Sequence, residues 1–452
     1  WAPTSIKVEL LLYKEWYINH EDDVIKYPMI YDYKTGVYST VVNKEDADGM
    51  YYLYKLYFRD VDINGKIIET VTYAVDPYAN SVSVNGDKGY VLDINEKSTK
   101  PIGFTNHPIP ILSEKDDSII YEMHIRDFTI DESSGVINDL RGTYLGTVEE
   151  NTIYKNPYNG KCVKTGIDHL CELGITHVHL MPIFDFGSVD ERFPGSNNRN
   201  WGYDPKNFNV PEGSYCSNPY NPVTRILELR QMIMKFHERG IRVVMDMVYN
   251  HMMSTVNMDN IVPGYYFRSD YLGRYTNGSG CGNELASERP MVRKFIIDSC
   301  LHWIKDYKID GIRFDLMELL DIDTTKEIVK KTTKLDKNFL IYGEPWKGGS
   351  SPLVNGTYKG SQKNENFSIF NDTFRDAIRG NNHPSSGFIN GNQYSSICNW
   401  SIIEGLKGSI YTITSNPNES INYVDAHDNY TLWDQVEKSQ NQSIKFGEFR
   451  FN

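Results

Sequence analysis

Cysteine is scarce. The 452-residue chain has six, at positions 162, 171, 216, 281, 300 and 398, and none forms a C-x-x-C pair or a zinc-ligand spacing. So few excludes a disulfide-stapled scaffold and predicts mostly buried thiols, with one bridge left open. Long apolar runs are missing too: nothing approaches the roughly 18 consecutive apolar residues that a membrane-spanning helix needs. Positive charge is in deficit, with 47 Lys plus Arg against 60 Asp plus Glu, a net of −13 and no basic stripe. That balance repels phosphate backbones and anionic lipid heads, so nucleic acid is not an expected partner. Phosphate loops are absent as well. Glycines at 348, 349, 356 and 360 follow a strand but precede no helix with a P-loop lysine. No internal repeat is visible. The chain opens on Trp1 without a signal-type apolar segment, so a removed leader, a trimmed start, and secreted or cytoplasmic localisation all stay open.

What is present reads as a folded protein with at least two cores, given its length, 40% hydrophobic and 24% charged residues. Tyr, at 32, outnumbers Phe, at 19. Sugar-binding proteins share that bias, because pyranose rings stack on aromatic faces, but so does plain strand filling. From Trp1 to about Leu112 the text is strand-like: Ile6–Leu10, Gly49–Arg59 and Ile67–Ala74, flanked by Asn64-Gly65 and Asn85-Gly86 turn signals. This predicts a β-sandwich over 1–112, with the proline-containing stretch Thr99–Asp117 as the connection.

From 113 to 452 strands and helices alternate. Apolar strand candidates are Ile119–Ile125, Thr176–Met181, Ile241–Val248, Asp310–Leu316, Phe339–Tyr342, Phe367–Phe370 and Ile421–Val424. Helical stretches are Val163–Leu173, Pro222–Arg239, Glu288–Tyr307 and Thr324–Leu335. Near-continuous apolar strands with helices between them predict a parallel sheet, best arranged as a (β/α)8 barrel with its chemistry at strand C-termini. A doubly wound sheet is the alternative, but no G-x-G-x-x-G follows the first strand. Residues 429–452 leave little chain for an eighth strand. A helix at Thr431–Lys438 and a strand at Ser443–Phe451 barely fit, and Lys445, Glu448 and Arg450 suit a doubly buried strand poorly. The expectation is a multidomain chain whose barrel is truncated before the eighth strand, leaving open, association-prone edges.

Carboxylates collect at those strand ends. In Asp310-Gly-Ile-Arg-Phe-Asp315, Arg313 and Asp315 share a face, and the cation keeps the carboxylate ionised, as a nucleophile at a sugar carbon requires. Alone, such a pair is more often structural. Glu344 ends Tyr342-Gly-Glu-Pro-Trp346, where apolar neighbours raise a carboxyl pKa for general-acid work. Asp428 closes a third segment, and His251 and His427 are candidate donors to hydroxyls. The set fits retaining glycoside hydrolysis.

MDMVYNH (245–251), GIRFDLM (311–317), YGEPW (342–346) and VDAHDN (424–429) resemble the four signature regions of glycoside hydrolase family 13. NWGYDP (200–205) and YEMHIRDF (121–128) resemble type I pullulanases, which cut α-1,6 linkages, and the part beginning WAPTS is similar to a family 48 carbohydrate-binding module. The resemblance implies Asp315 as nucleophile, Glu344 as general acid/base and Asp428 as the carboxylate holding the distorted sugar. It places Tyr203, Asp204, His251, Arg313, His427 and Asn429 around that sugar, with Tyr203 stacking on it and Trp346 on the acceptor side. Asp246 is expected to support His251. The substrate implied is pullulan, limit dextrin or a related α-glucan, hydrolysed with retention. An α-1,4-acting family 13 hydrolase and a non-catalytic glucan binder are the alternatives. Two residues depart from the family pattern: Arg199, which bears on a glucose subsite, and Glu318, an added acid that is either solvated or near a metal. No cofactor is required. A structural calcium at Asn250 or the loop Asp185–Glu191 is a minor expectation, and His177-x-His179 reads as packing rather than zinc binding.

Overall fold

The computed structural model describes residues 1–193, 199–383 and 385–445. The N-terminal region is built on one antiparallel sheet in the order Ile25–Pro28, Lys7–Tyr13, Tyr51–Val61, Ile67–Ala74, with Gly89–Tyr90 pairing the start of Tyr51–Val61. A separate hairpin pairs Ile30–Asp32 with Val37–Ser39. The expected sandwich is therefore lopsided, one five-stranded sheet and one small hairpin. The main sheet finds its cover elsewhere. Leu11, Tyr13, Leu53 and Val75 pack with Val210, while Val8, Leu56 and Phe58 join the large core that also holds Ile261 and Tyr266. The two sets alternate along the strands, so both faces of the sheet bury apolar area, which the hairpin alone is too small to cover. At the turn Asn85-Gly86 both residues are left-handed, with φ of 61° and 70°, a conformation that Asn and Gly tolerate best.

The second region contains seven parallel strands lying side by side in sequence order: Ile120–Met123, His177–Leu180, Arg242–Met247, Gly311–Phe314, Leu340–Gly343, Ser368–Phe370 and Ser420–Ile421. The second to the sixth are buried throughout, which is why their sequences run apolar without alternation. Helices Gly166–Leu173, Thr224–Glu238, Pro290–Tyr307 and Ile322–Thr333 connect the first five strands. Asp321 caps the last of these by accepting from Thr324 N at 3.0 Å. The sheet curls on itself: His427, beyond the seventh strand, bonds Glu122 on the first at 2.9 Å. Between these two edges lies a cleft of about 600 Å³ whose walls include Ile120, Tyr342, Phe370, Ile421 and Tyr423.

Several boundaries differ from the sequence reading. Val163 belongs not to a helix but to the strand Cys162–Lys164, which pairs with Ile153–Lys155. The first parallel strand stops at Met123, and Ile125 opens a short helix. The seventh stops at Ile421, and just beyond it the Asn422 side chain donates to Gly405 O at 2.8 Å. Helices Asp372–Arg379 and Ser396–Leu406 lie between the sixth and seventh strands, where none was expected. The helix expected at Thr431–Lys438 runs from Leu432 to Lys445, so Ser443 begins no strand, and 446–452 lie outside the described residues. All six cysteines are free and only Cys216 and Cys300 are buried; Cys162 and Cys281 are exposed, so the expected mostly buried set is not found. Among the described residues, no helix is long and apolar enough to cross a membrane.

Candidate active site

The site grows from Arg313, buried on the fourth parallel strand at 2% exposure. Strand alternation puts Arg313 and Asp315 on one face, and the parallel register sets Asp246 beside Arg313. Its Nη1 donates to Asp246 Oδ1 at 2.9 Å and to Asp315 Oδ1 at 2.9 Å, and its Nη2 lies 2.7 Å from Glu344 Oε1. One guanidinium thus gathers three carboxylates, using the fork that a lysine lacks.

The three differ in electrostatics. Burial alone drives the Asp246 carboxyl upward, but Arg313, His179 and the Tyr203 hydroxyl outweigh it and hold the group at about 2. Glu344 goes the other way. Burial, with Asp315 and Asp246 adding, overcomes Arg313 and the Leu316 amide and pushes it up to about 7. Leu316 adopts φ of 40°, a left-handed turn just past the strand, and its N–H donates to Glu344 Oε2 at 3.0 Å. Asp315 is fixed from a second side by Asn250 Nδ2, 2.8 Å from Oδ2. A carboxylate held by donors beside a carboxylic acid with a raised pKa is the division of labour that double displacement needs.

Around this core, the Tyr203 hydroxyl donates to Asp246 Oδ2 at 2.6 Å, and its ring stacks on His427, with centroids 5.1 Å and planes 20° apart. His427 Nδ1 meets Glu122 Oε1 at 2.9 Å. Burial lowers the His427 pKa, but the hydrogen bond and charge of Glu122 reverse this and raise it. His251 bonds Asn250 Oδ1 at 2.6 Å and Tyr203 O at 2.9 Å. Asp246 therefore supports Arg313 and Tyr203, not His251 as the sequence suggested.

Asp204 is turned into its own loop, accepting from Ser188 N at 2.7 Å and from Asn200 Nδ2 at 2.8 Å. It sits with Ser188, Arg199, Asn200, Trp201 and Tyr203 around an open cavity of about 460 Å³. Trp346 is half-buried and packs against the cluster of Val244, Tyr342 and Phe370. Asp428 and Asn429 lie on an exposed bend, Asn429 at φ of 79°, outside the hydrogen-bond network around Arg313. Of the departing residues, Arg199 pairs with Asp127 at 2.7 Å and Glu318 with Lys347 at 2.9 Å.

The sequence reading passed over Glu122 and the bond from Asn250 to Asp315. Asn250 stands beside His251 in MDMVYNH and Glu122 in YEMHIRDF, so the signal was adjacency to chosen residues. For calcium, the buried candidates are Asp185, Glu191 and Glu212, whose oxygens lie within 4.8 Å of one another. Arg225 Nη1 already sits 2.9 Å from Glu191 and 3.2 Å from Asp185, filling the place a hard cation would take, and Asn250 is elsewhere. This donor set reads as an ion-pair core.

Residues 160–261 match the family described as alpha amylase, catalytic domain. The pullulanase of Bacillus subtilis (strain 168) is 41% identical over 414 residues, covering 89% of this chain and 54% of that protein. A mutant pullulanase from Paenibacillus barengoltzii solved with maltotriose superposes with a TM-score of 0.88 at 39% identity, over 98% of this chain and 67% of the other. The same organism's pullulanase with maltohexaose and alpha-cyclodextrin gives a TM-score of 0.87 at 39% identity, over 98% and 66%. The chain spans about half the length of the curated relatives it matches.

Proposed function

This chain belongs to the pullulanase family of glycoside hydrolases, and on that premise we propose that it hydrolyses α-1,6-glucosidic branch linkages in pullulan, limit dextrins and related α-glucans with retention of configuration. The observation that carries the reading is the single guanidinium of Arg313, which holds Asp315 and Glu344 together while burial keeps Glu344 near 7. Asp315 attacks the anomeric carbon. Glu344 first gives its proton to the leaving oxygen and then takes one from water.

Asp428 enters when substrate is bound, moving from its exposed bend to hold the distorted sugar beside Asn429. Tyr203, Asp204, His251 and His427 line the cleaved sugar, and Trp346 receives the main chain on the acceptor side. We read the curled sheet as the body of a (β/α)8 catalytic barrel over 113–452 and the N-terminal sheet, 1–112, as a family 48-like module. The reaction uses no cofactor. Chromatography of products from pullulan tests this: maltotriose is expected. Products of α-1,4 cleavage, or none, would overturn it.

A further inference from the structure

His179 lies at the second parallel strand, buried to 2% exposure, and the function proposed above leaves it without a task. Its ring stands between two carboxylates. Nδ1 is 3.7 Å from Glu122 Oε1 and Nε2 is 3.5 Å from Asp246 Oδ2, with the ring at 89° to Tyr342. Nε2 has no hydrogen-bond partner at normal length, and each ring nitrogen faces one carboxylate oxygen. Register explains the placement, because His179 is the parallel partner of Glu122 and points to the same interior as Asp246.

Those acids lead to opposite walls of the site. Glu122 holds His427 through both the ring and the backbone N–H, at 2.9 and 2.6 Å. Asp246 holds Arg313 and Tyr203. The geometry points to His179 as a positioning residue that keeps Glu122 ionised opposite Asp246, and through Glu122 keeps His427 a cationic donor beside Tyr203.

The reasoning is one of substitution. Take the imidazole away and two buried carboxylates face each other. Asp246 keeps Arg313, so Glu122, whose other close partner is His427, is the one that takes up a proton. His427 then loses its anion. The charged or titratable groups facing His427 are Glu122 from the first strand, Tyr203 from its loop, and, farther off, Arg313 and Asp246; those facing His179 are Glu122, Asp246 and Tyr342. None of the others replaces His179.

The test is the imidazole titration of His427 by NMR in the full chain, assigned by its disappearance in His427→Asn. His179→Phe keeps an aromatic against Tyr342 and should lower the His427 midpoint by about one pH unit. His179→Gln, which still donates to one acid, should lower it by less. On pullulan, kcat/KM of His179→Phe should fall by about tenfold more at pH 7.5 than at pH 5, as the protonated fraction falls. A His427 midpoint unchanged in His179→Phe overturns the proposal; if that variant does not fold, an unchanged midpoint in His179→Gln does so. The activity arm rests on the hydrolase reading, but the titration does not. A chain that titrates as expected and leaves pullulan uncut sinks the hydrolase reading and keeps the positioning role.

Discussion

Arg313 and Arg225 are both buried, and each lies within a group of three carboxyl groups: Asp246, Asp315 and Glu344 around the first, Asp185, Glu191 and Glu212 at the second. Each group holds a carboxyl pushed up to about 7 by burial above all, Glu344 in one and Asp185 in the other, and burial raises Glu212 in the second group as well. Charge inventory therefore does not separate them. Access does. Around Arg225 the oxygens are claimed by backbone: Glu191 by Asn85 N and Gly213 N, Glu212 by Phe186 N and Ser214 N. A Cβ on Gly86 would come within 2.5 Å of Asp185 Oδ2, so no space for a ligand remains. Around Arg313 the Asp315 and Glu344 side chains keep 13% and 9% exposure, against 1% for Asp185 and Glu191. One group is a staple between regions and the other the proposed reaction centre, and the difference is solvent reach.

Substitutions can break that comparison. Asp315→Ala should cost about 10⁴-fold or more in kcat on pullulan while maltotriose still binds, because a nucleophile is lost but the subsites are not; turnover within tenfold of the parent would refute the role. Arg225→Met should leave Asp185 and Glu191 without their cation and destabilise folding by about 3–5 kcal/mol, with kcat unaffected where the protein stays folded. Denaturant melts and rates on the same sample decide this, and a large kcat loss without destabilisation would move Arg225 into the chemistry.

Glu344→Gln should lower kcat on pullulan by about 10²–10³-fold and less on substrates with good leaving groups. It should also abolish the alkaline limb of the rate, since the acid form of Glu344 is lost through about pH 7. Equal losses on both substrates would count against the acid. For Asp185 the sign falls on stability. A folded pKa raised to about 7 means the folded state holds a proton that the unfolded chain releases near pH 4, so stability is complete below about 4 and declines toward 7. Asp185→Asn should flatten that decline, by at most about 1.4 kcal/mol per pH unit, and leave the alkaline limb of activity in place. Melts across pH 4–8 that match the parent would dismiss it. Trp346→Ala is the smallest effect: loss of about 1 kcal/mol of stacking should raise KM on pullulan about fivefold, with short maltosides less affected. An unchanged KM would put Trp346 outside the acceptor side.

The two groups also differ in how visible they are before folding. Arg313, Asp315 and Glu344 are legible because strand alternation and successive strand ends bring them together by simple counting. Asp428 is legible as a third carboxylate past a strand end, its role only by resemblance, and its exposed bend follows no period that counting would reveal. Of the Arg225 group only the loop acids Asp185–Glu191 are legible, as candidate calcium ligands, and their pairing with Arg225 is not. Its partners stand 34 and 40 residues away, on a loop and on a strand of an irregular hairpin, and nothing local announces the pairing. His179 reads as packing in the sequence, and its contacts with Glu122 and Asp246 come from the neighbouring strands' register and not from its own segment. The parallel strands themselves were readable from their apolar runs, while their ends, at Met123 and Ile421 for the first and seventh, depend on pairing with neighbouring strands that no single segment reveals.

The Asn85-Gly86 turn carries a consequence for the order in which the protein is made. Its Asn85 N–H donates to Glu191, 106 residues downstream, at 2.6 Å. A ribosome therefore releases the N-terminal sheet well before the carboxylate that completes its turn exists, and Asp185 and Glu191 emerge with their lid already waiting. Neither region reaches its final form ahead of the other. The turn is completed only once the downstream region exists, and the sheet is a poor candidate for transplantation into another protein on its own.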